Sequence, residues 1–172
     1  FMWAHPGKQV LFMGCEFGQR PEFNESVSLE WGVSELWGHG GPQRLFRDTN
    51  TLYKANPPLY ELDNSPKGFS WINADDAGHN ALAWVRHDED YNHIACVTNF
   101  SPEPLRDYEI GLPAAGAWEE ILNTDSPIYD GSGEFGNLGE VTAHEEPWGH
   151  FPARARVTVP PLGSIWLRRL AD

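Results

Sequence analysis

The sequence lacks any apolar run of the roughly 18 residues that a helix needs to cross a bilayer. It has only two cysteines, Cys15 and Cys96, in unrelated surroundings. A disulfide framework or a thiolate metal site needs more cysteines at tighter spacing, so both are expected to be buried or half-buried free thiols. That usage suits a reducing, cytoplasmic compartment. Basic residues are scarce: 12 Lys and Arg stand against 25 Asp and Glu, a net charge of −13. Nucleic-acid affinity comes from neutralised phosphates and anionic membranes attract basic patches, so neither partner is expected. The seven histidines form no HxH or HExxH pattern, and no GxSxG elbow occurs. The glycines of Gly131-Ser132-Gly133-Glu134-Phe135-Gly136 have no buried strand before them and no helix after them, so they read as a loop rather than a nucleotide fingerprint. No cofactor and no metal are expected.

What is present is globular. The chain is 40% hydrophobic and 13% aromatic, with eight tryptophans in 172 residues. That is enough apolar mass for a sizeable core and too much for disorder. The opening Phe1-Met2-Trp3 has no cap or turn before it and reads as a start inside a helix, so the chain is expected to be a piece of a longer protein. Val10-Leu11-Phe12-Met13 is an apolar run of four between turn signals, which predicts a strand buried on both faces. A polar, Gly-rich stretch follows to Gly41. Pro42 then suits a first helical turn, and Leu45, Phe46, Leu52 and Tyr53 share one helical face until Asn56-Pro57-Pro58 stops it. A short helical turn over Leu59–Leu62 is expected next.

After Asn64-Ser65-Pro66-Lys67-Gly68 the texture becomes β. Seven strands are predicted: Phe69–Ile72, Ala81–His87, Ile94–Asn99, Tyr108–Ile110, Trp118–Asn123, Ala153–Val159 and Ser164–Arg168. Residues 126–152 read as loop. The fold class is therefore mainly β: an antiparallel β-sandwich over residues 65–172, preceded in residues 1–64 by the last strand-helix unit of a truncated (β/α)8 barrel.

Side chains at the C-terminal end of a barrel strand point into the cleft. Here Glu16, Arg20 and Glu22 offer hydrogen bonds to sugar hydroxyls, and Phe23 offers a stacking face. The plainer reading pairs Glu16 with Arg20 as an i, i+4 ion pair. Glycoside cleavage needs two carboxylates flanking the bond, and nothing fixes the separation of Glu16 and Glu22. Trp31, Trp37 and Trp148 lie in polar loops and are platform candidates, whereas Trp71, Trp84, Trp118 and Trp166 fall inside strands and read as core. His87 and His93 can meet across a hairpin, but such pairs generally face solvent.

Several segments resemble one family in order along nearly the whole chain. They are Trp3-Ala4-His5-Pro6-Gly7-Lys8, Leu11-Phe12-Met13-Gly14-Cys15-Glu16-Phe17-Gly18-Gln19, Ser28-Leu29-Glu30-Trp31, Arg47-Asp48-Thr49-Asn50, Gly68-Phe69-Ser70-Trp71-Ile72, Glu120-Ile121-Leu122-Asn123-Thr124-Asp125-Ser126 and Pro160-Pro161-Leu162-Gly163-Ser164-Ile165-Trp166-Leu167. Together they are similar to the C-terminal part of bacterial 1,4-α-glucan branching enzymes, of the α-amylase superfamily. The resemblance implies a (β/α)8 barrel followed by an all-β domain. It implies a retaining transfer of α-1,4-glucan segments to form α-1,6 branches, with α-glucan as substrate. It also implies that the catalytic carboxylates precede Phe1, so that no residue here is catalytic and the chain alone is inactive. Glu16, Arg20, Glu22, Phe23, Trp31 and Trp37 would be substrate contacts, and the rest of the barrel the main protein partner. The chain departs from the family at Cys15, where Asn is usual, and at Phe23, where Trp is usual. The competing expectations are an independent glucan-binding β-sandwich module and the C-terminal part of a related amylase-type hydrolase.

Overall fold

The computed structural model describes residues 1–170. Eight strands form two antiparallel sheets. The larger has the order β1-β2-β3-β8-β5-β6, made of β1 (Phe69–Asp76), β2 (Ala81–His87), β3 (His93–Asn99), β8 (Ser164–Arg169), β5 (Gly116–Asn123) and β6 (Glu140–Ala143). The smaller pairs β4 (Leu105–Leu112) with β7 (Ala153–Val159).

Period-two patterning explains how the sheets face each other. In β7, Ala153, Ala155, Val157 and Val159 are buried while Arg154, Arg156 and Thr158 point outward. They meet Ala83, Val85, Ala95, Val97, Trp118, Ile165 and Leu167 from the large sheet in one core. Such a face normally leaves the other side of the sheet wet, yet β2, β3 and β8 are buried almost continuously. The reason is a third layer. Helix α1 (Gly40–Ala55) and the segment around Trp3 and Ala4 cover the outer face, packing on Trp84, Ile94, Cys96, Leu122 and Trp166.

Polar anchors fix this layer. Arg86 is wholly buried and reaches across it, ion-paired with Asp63 and donating to the carbonyls of Ala4 (3.0 Å) and Gly68 (3.3 Å). Trp84 Nε1 donates to the same Ala4 carbonyl at 3.0 Å. At the other end, the loop after β5 reaches the start of α1. Asp130 accepts from the N–H groups of Gly38 and Gly41, each at 3.0 Å, and from Arg44 at 2.7 Å. Gly41 permits this approach, since a Cβ there would lie 2.2 Å from the Tyr129 carbonyl oxygen. The Tyr129 hydroxyl donates to Asp48 at 3.1 Å.

The helix, the seven expected strands and the antiparallel pairing are all present, most strands one or more residues longer than expected. Four expectations fail. Val10–Met13 forms no strand, and all four side chains are exposed. A strand buried on both faces needs neighbours on both edges, and no segment among the described residues pairs with it. The turn expected at Leu59–Leu62 forms earlier, over Pro57–Leu59, because prolines at its first two positions set the backbone. Within 126–152 the chain makes β6, with Val141 and Ala143 inward and Glu140 and Thr142 outward. Trp71 is 38% exposed, because it sits outward on the edge strand β1. No helix among the described residues is long and apolar enough to cross a membrane.

Candidate functional site

Residues 14–38 have no strand and no α-helix, so turns, the start of α1 and a few side-chain bonds shape them. Gly14 (φ 83°) and Gly18 (φ 59°) bracket a tight turn, Cys15–Phe17, in the left-handed region that glycine enters without penalty. That turn drives Phe17 fully inside, and His39 Nδ1 contacts the Phe17 carbonyl oxygen at 2.8 Å. A second turn, Trp31–Val33, buries Val33 and lays Trp31 against Phe17, with ring centroids 5.3 Å apart. The two turns are laced by Glu30 N–H donating to Gln19 Oε1 (3.3 Å) and Arg20 N–H donating to Glu30 Oε2 (3.4 Å).

Glu16, Arg20 and Trp31 therefore sit on one laced patch. Phe23 makes a separate one with Phe12, edge to face at 4.6 Å. Trp37 stands apart at 84% exposure, and Glu22 is exposed on the loop between. The expected Glu16–Arg20 ion pair is absent among the described residues, because residues 18–20 leave the turn and Arg20 is not one helical turn beyond Glu16. Cys15 is exposed rather than buried or half-buried, since the turn sends only Phe17 inward. Cys96 is buried, and burial pushes its thiol up to about 12, out of reach of nucleophilic chemistry. Trp148 lies away from this segment and packs half-buried on the sandwich core, over Gly111.

The patch thus combines unpaired polar side chains with exposed aromatic faces, which is what sugar hydroxyls and pyranose rings require. Gln19 is among the residues expected at the cleft end of the first strand, but its lacing to Glu30 is not readable in the sequence, since an irregular segment has no period from which to infer such partners. Phe12 was placed in a strand for the same reason.

A second polar cluster lies on the β2–β3 hairpin. His87 and His93 are direct cross-strand partners, and their Nδ1 atoms are 2.9 Å apart. His87 Nε2 contacts Ser70 Oγ at 2.9 Å. Both rings are half-buried, contrary to the solvent-facing expectation, because β1 and the loop before it wall them in. Burial first, then the neighbouring His93 and Arg86, hold His87 down to about 4; burial and Arg169 likewise lower His93. Among the described residues, no three or more His, Cys, Asp or Glu side chains gather as a metal site.

Comparison with known proteins places this geometry. Residues 71–169 match the family described as alpha amylase, C-terminal all-beta domain. The 1,4-alpha-glucan branching enzyme GlgB of Cutibacterium acnes is 62% identical over 169 residues, 98% of this chain and 26% of that protein. The Mycobacterium tuberculosis (H37Rv) enzyme of the same name is 49% identical over 97% of this chain and 23% of that protein. The chain therefore spans about a quarter of the length of the relatives it matches. Among solved structures, a group B Streptococcus pullulanase aligns with 82% of this chain at a TM-score of 0.50 and 12% identity, a likeness of fold.

Proposed function

Because the chain belongs to the family of alpha amylase C-terminal all-beta domains, we propose that it is the C-terminal part of a cytoplasmic 1,4-α-glucan branching enzyme. The single observation that carries this reading is the reach of the 62% identity. It covers 98% of the chain, including the helix and the laced turns that lie outside the β-domain match. In this reading the enzyme cuts an α-1,4 bond, holds the glucan covalently, and passes it to a 6-hydroxyl of another chain. The carboxylates for that double displacement belong to the barrel that precedes residue 1, which is also the chain's partner. This chain supplies one rim of the cleft.

Each rim residue has a stated part. Trp31 and Trp37 present flat apolar faces to pyranose rings, and Phe23 presents a smaller one. Glu16, Arg20 and Glu22 exchange hydrogen bonds with sugar hydroxyls; their side chains have no partner within the described chain, so none must be broken first. Residues 1–64 act as the closing end of the barrel, and the sandwich of 65–172 buttresses it.

Incubation with amylose tests the assignment. The chain alone is expected to leave the iodine colour unchanged, and the same chain joined to its upstream barrel to reduce it while α-1,6 anomeric signals appear. Colour loss with the chain alone would contradict the placement of the carboxylates. Reducing ends without α-1,6 linkages would favour an amylase-type hydrolase. Strong retardation of the chain alone in glycogen gels, abolished by Trp37→Ala, would favour an independent glucan-binding module.

A further inference from the structure

We propose that the His87–His93 pair is a two-ligand site for a borderline transition-metal cation of the Zn²⁺ class. The register carries the argument. His87 and His93 close the β2–β3 ladder opposite one another, so backbone pairing, rather than a flexible loop, aims both Nδ1 atoms at one point. Imidazole nitrogens bind Zn²⁺ at about 2.0–2.1 Å in tetrahedral geometry, which sets two such atoms about 3.3 Å apart. The observed 2.9 Å needs an opening of only a few tenths of an ångström.

The present contact is a hydrogen bond between two neutral rings, so one Nδ1 carries a hydrogen and the other a lone pair. Metal entry replaces that hydrogen. It leaves to solvent and another returns on Nε2 of the same ring, so the ring stays neutral and both Nδ1 lone pairs face the ion. His87 has its outer nitrogen already held by Ser70, the arrangement that orients a ligating imidazole.

Room agrees, and the surrounding charge is mixed. The pair opens on a cavity of about 610 Å³, lined also by Leu62, Lys67, Ser70, Asp88 and Tyr91, which admits the waters that complete four-coordination. Positive charge that opposes a cation comes from Lys67 on the cavity wall, from Arg86 beside His87 and from Arg169 beside His93. Asp88 and Glu89 set negative charge against it. Asp88 itself is engaged by Asn92, whose backbone N–H and side-chain amide both donate to it at 2.8 Å, so it shapes the field and is not counted as a ligand.

Zinc chloride titrated into the protein at neutral pH tests this, followed by calorimetry and by the histidine ring resonances. The expected result is one saturable site, with His87 and His93 shifting and the other five histidines still. His93→Gln should weaken binding at least about tenfold, while His144→Gln, on an exposed loop, should leave it unchanged. Should His93→Gln fail to fold, the ring resonances of the unaltered protein decide alone. Shifts confined to other histidines, no saturable binding, or full affinity in folded His93→Gln would each overturn the proposal.

Discussion

Two regions of this molecule are both rich in aromatic residues and treat their tryptophans in opposite ways. In the sandwich, Trp84, Trp118 and Trp166 are at most 1% exposed. In the irregular segment before α1, Trp31 and Trp37 are 54% and 84% exposed, and Phe12 and Phe23 are also at the surface. Composition does not separate the two; periodicity does. A strand alternates its faces and finds a facing layer for each, whereas the segment packs only through its turns and the start of α1. Burial in the one region makes stability, and exposure in the other leaves aromatic faces open to solvent, the surface proposed to meet glucan.

Substitutions can break that contrast, and the largest effects should fall in the sandwich. Trp166→Ala removes a fully buried ring between the helix layer and the large sheet, and should lower unfolding free energy by about 3–5 kcal/mol in urea titration. A loss as small as that of a surface substitution would mean the helix layer does not pack as described. Arg86→Ala should cost a comparable or slightly smaller amount, about 3–5 kcal/mol, because it strands Asp63 in the interior. Double substitution of Arg86 and Asp63 by apolar residues should recover part of that loss.

The clamp at the start of α1 titrates. The Gly38 N–H leads in holding the Asp130 carboxyl below its usual value, against the opposing effect of burial, with the Gly41 N–H and Arg44 assisting. A carboxyl depressed in the folded state contributes stability above its unfolded pKa, about 3.9, and loses it as pH falls through the lower folded value. The stability gap between the protein and Asp130→Asn should therefore be constant above about pH 5 and close below pH 4, as read by thermal melts. A gap independent of pH would remove Asp130 as the anchor. The smallest effect belongs to Trp37→Ala, which should change stability by less than about 0.5 kcal/mol while weakening glucan binding by the proposed enzyme.

Much of this was legible in the residues, and the misses share a cause. The Ala-Arg alternation of β7 and the apolar positions of α1 each state a period, and a period determines which face is buried. Val10–Met13 and Trp71 misled because an apolar run reports a wish for burial, not the presence of a partner. Strand β6 has only four residues and two inward side chains, below what alternation can reveal inside a Gly-rich stretch. The His87–His93 meeting was readable, since hairpin register puts those positions opposite. The lacing of Gln19 to Glu30 was not, because turn geometry rather than any repeat decides it.

Amide hydrogen exchange of the proposed branching enzyme containing this chain, with and without a saturating linear maltooligosaccharide, tests the central proposal most directly. Slowing should be confined to residues 16–37 within this chain, with β2, β3 and β8 slow and unchanged in both states. Slowing centred on the sandwich strands, or none in 16–37, would contradict the division of the molecule into a buried support and an exposed rim proposed to face glucan.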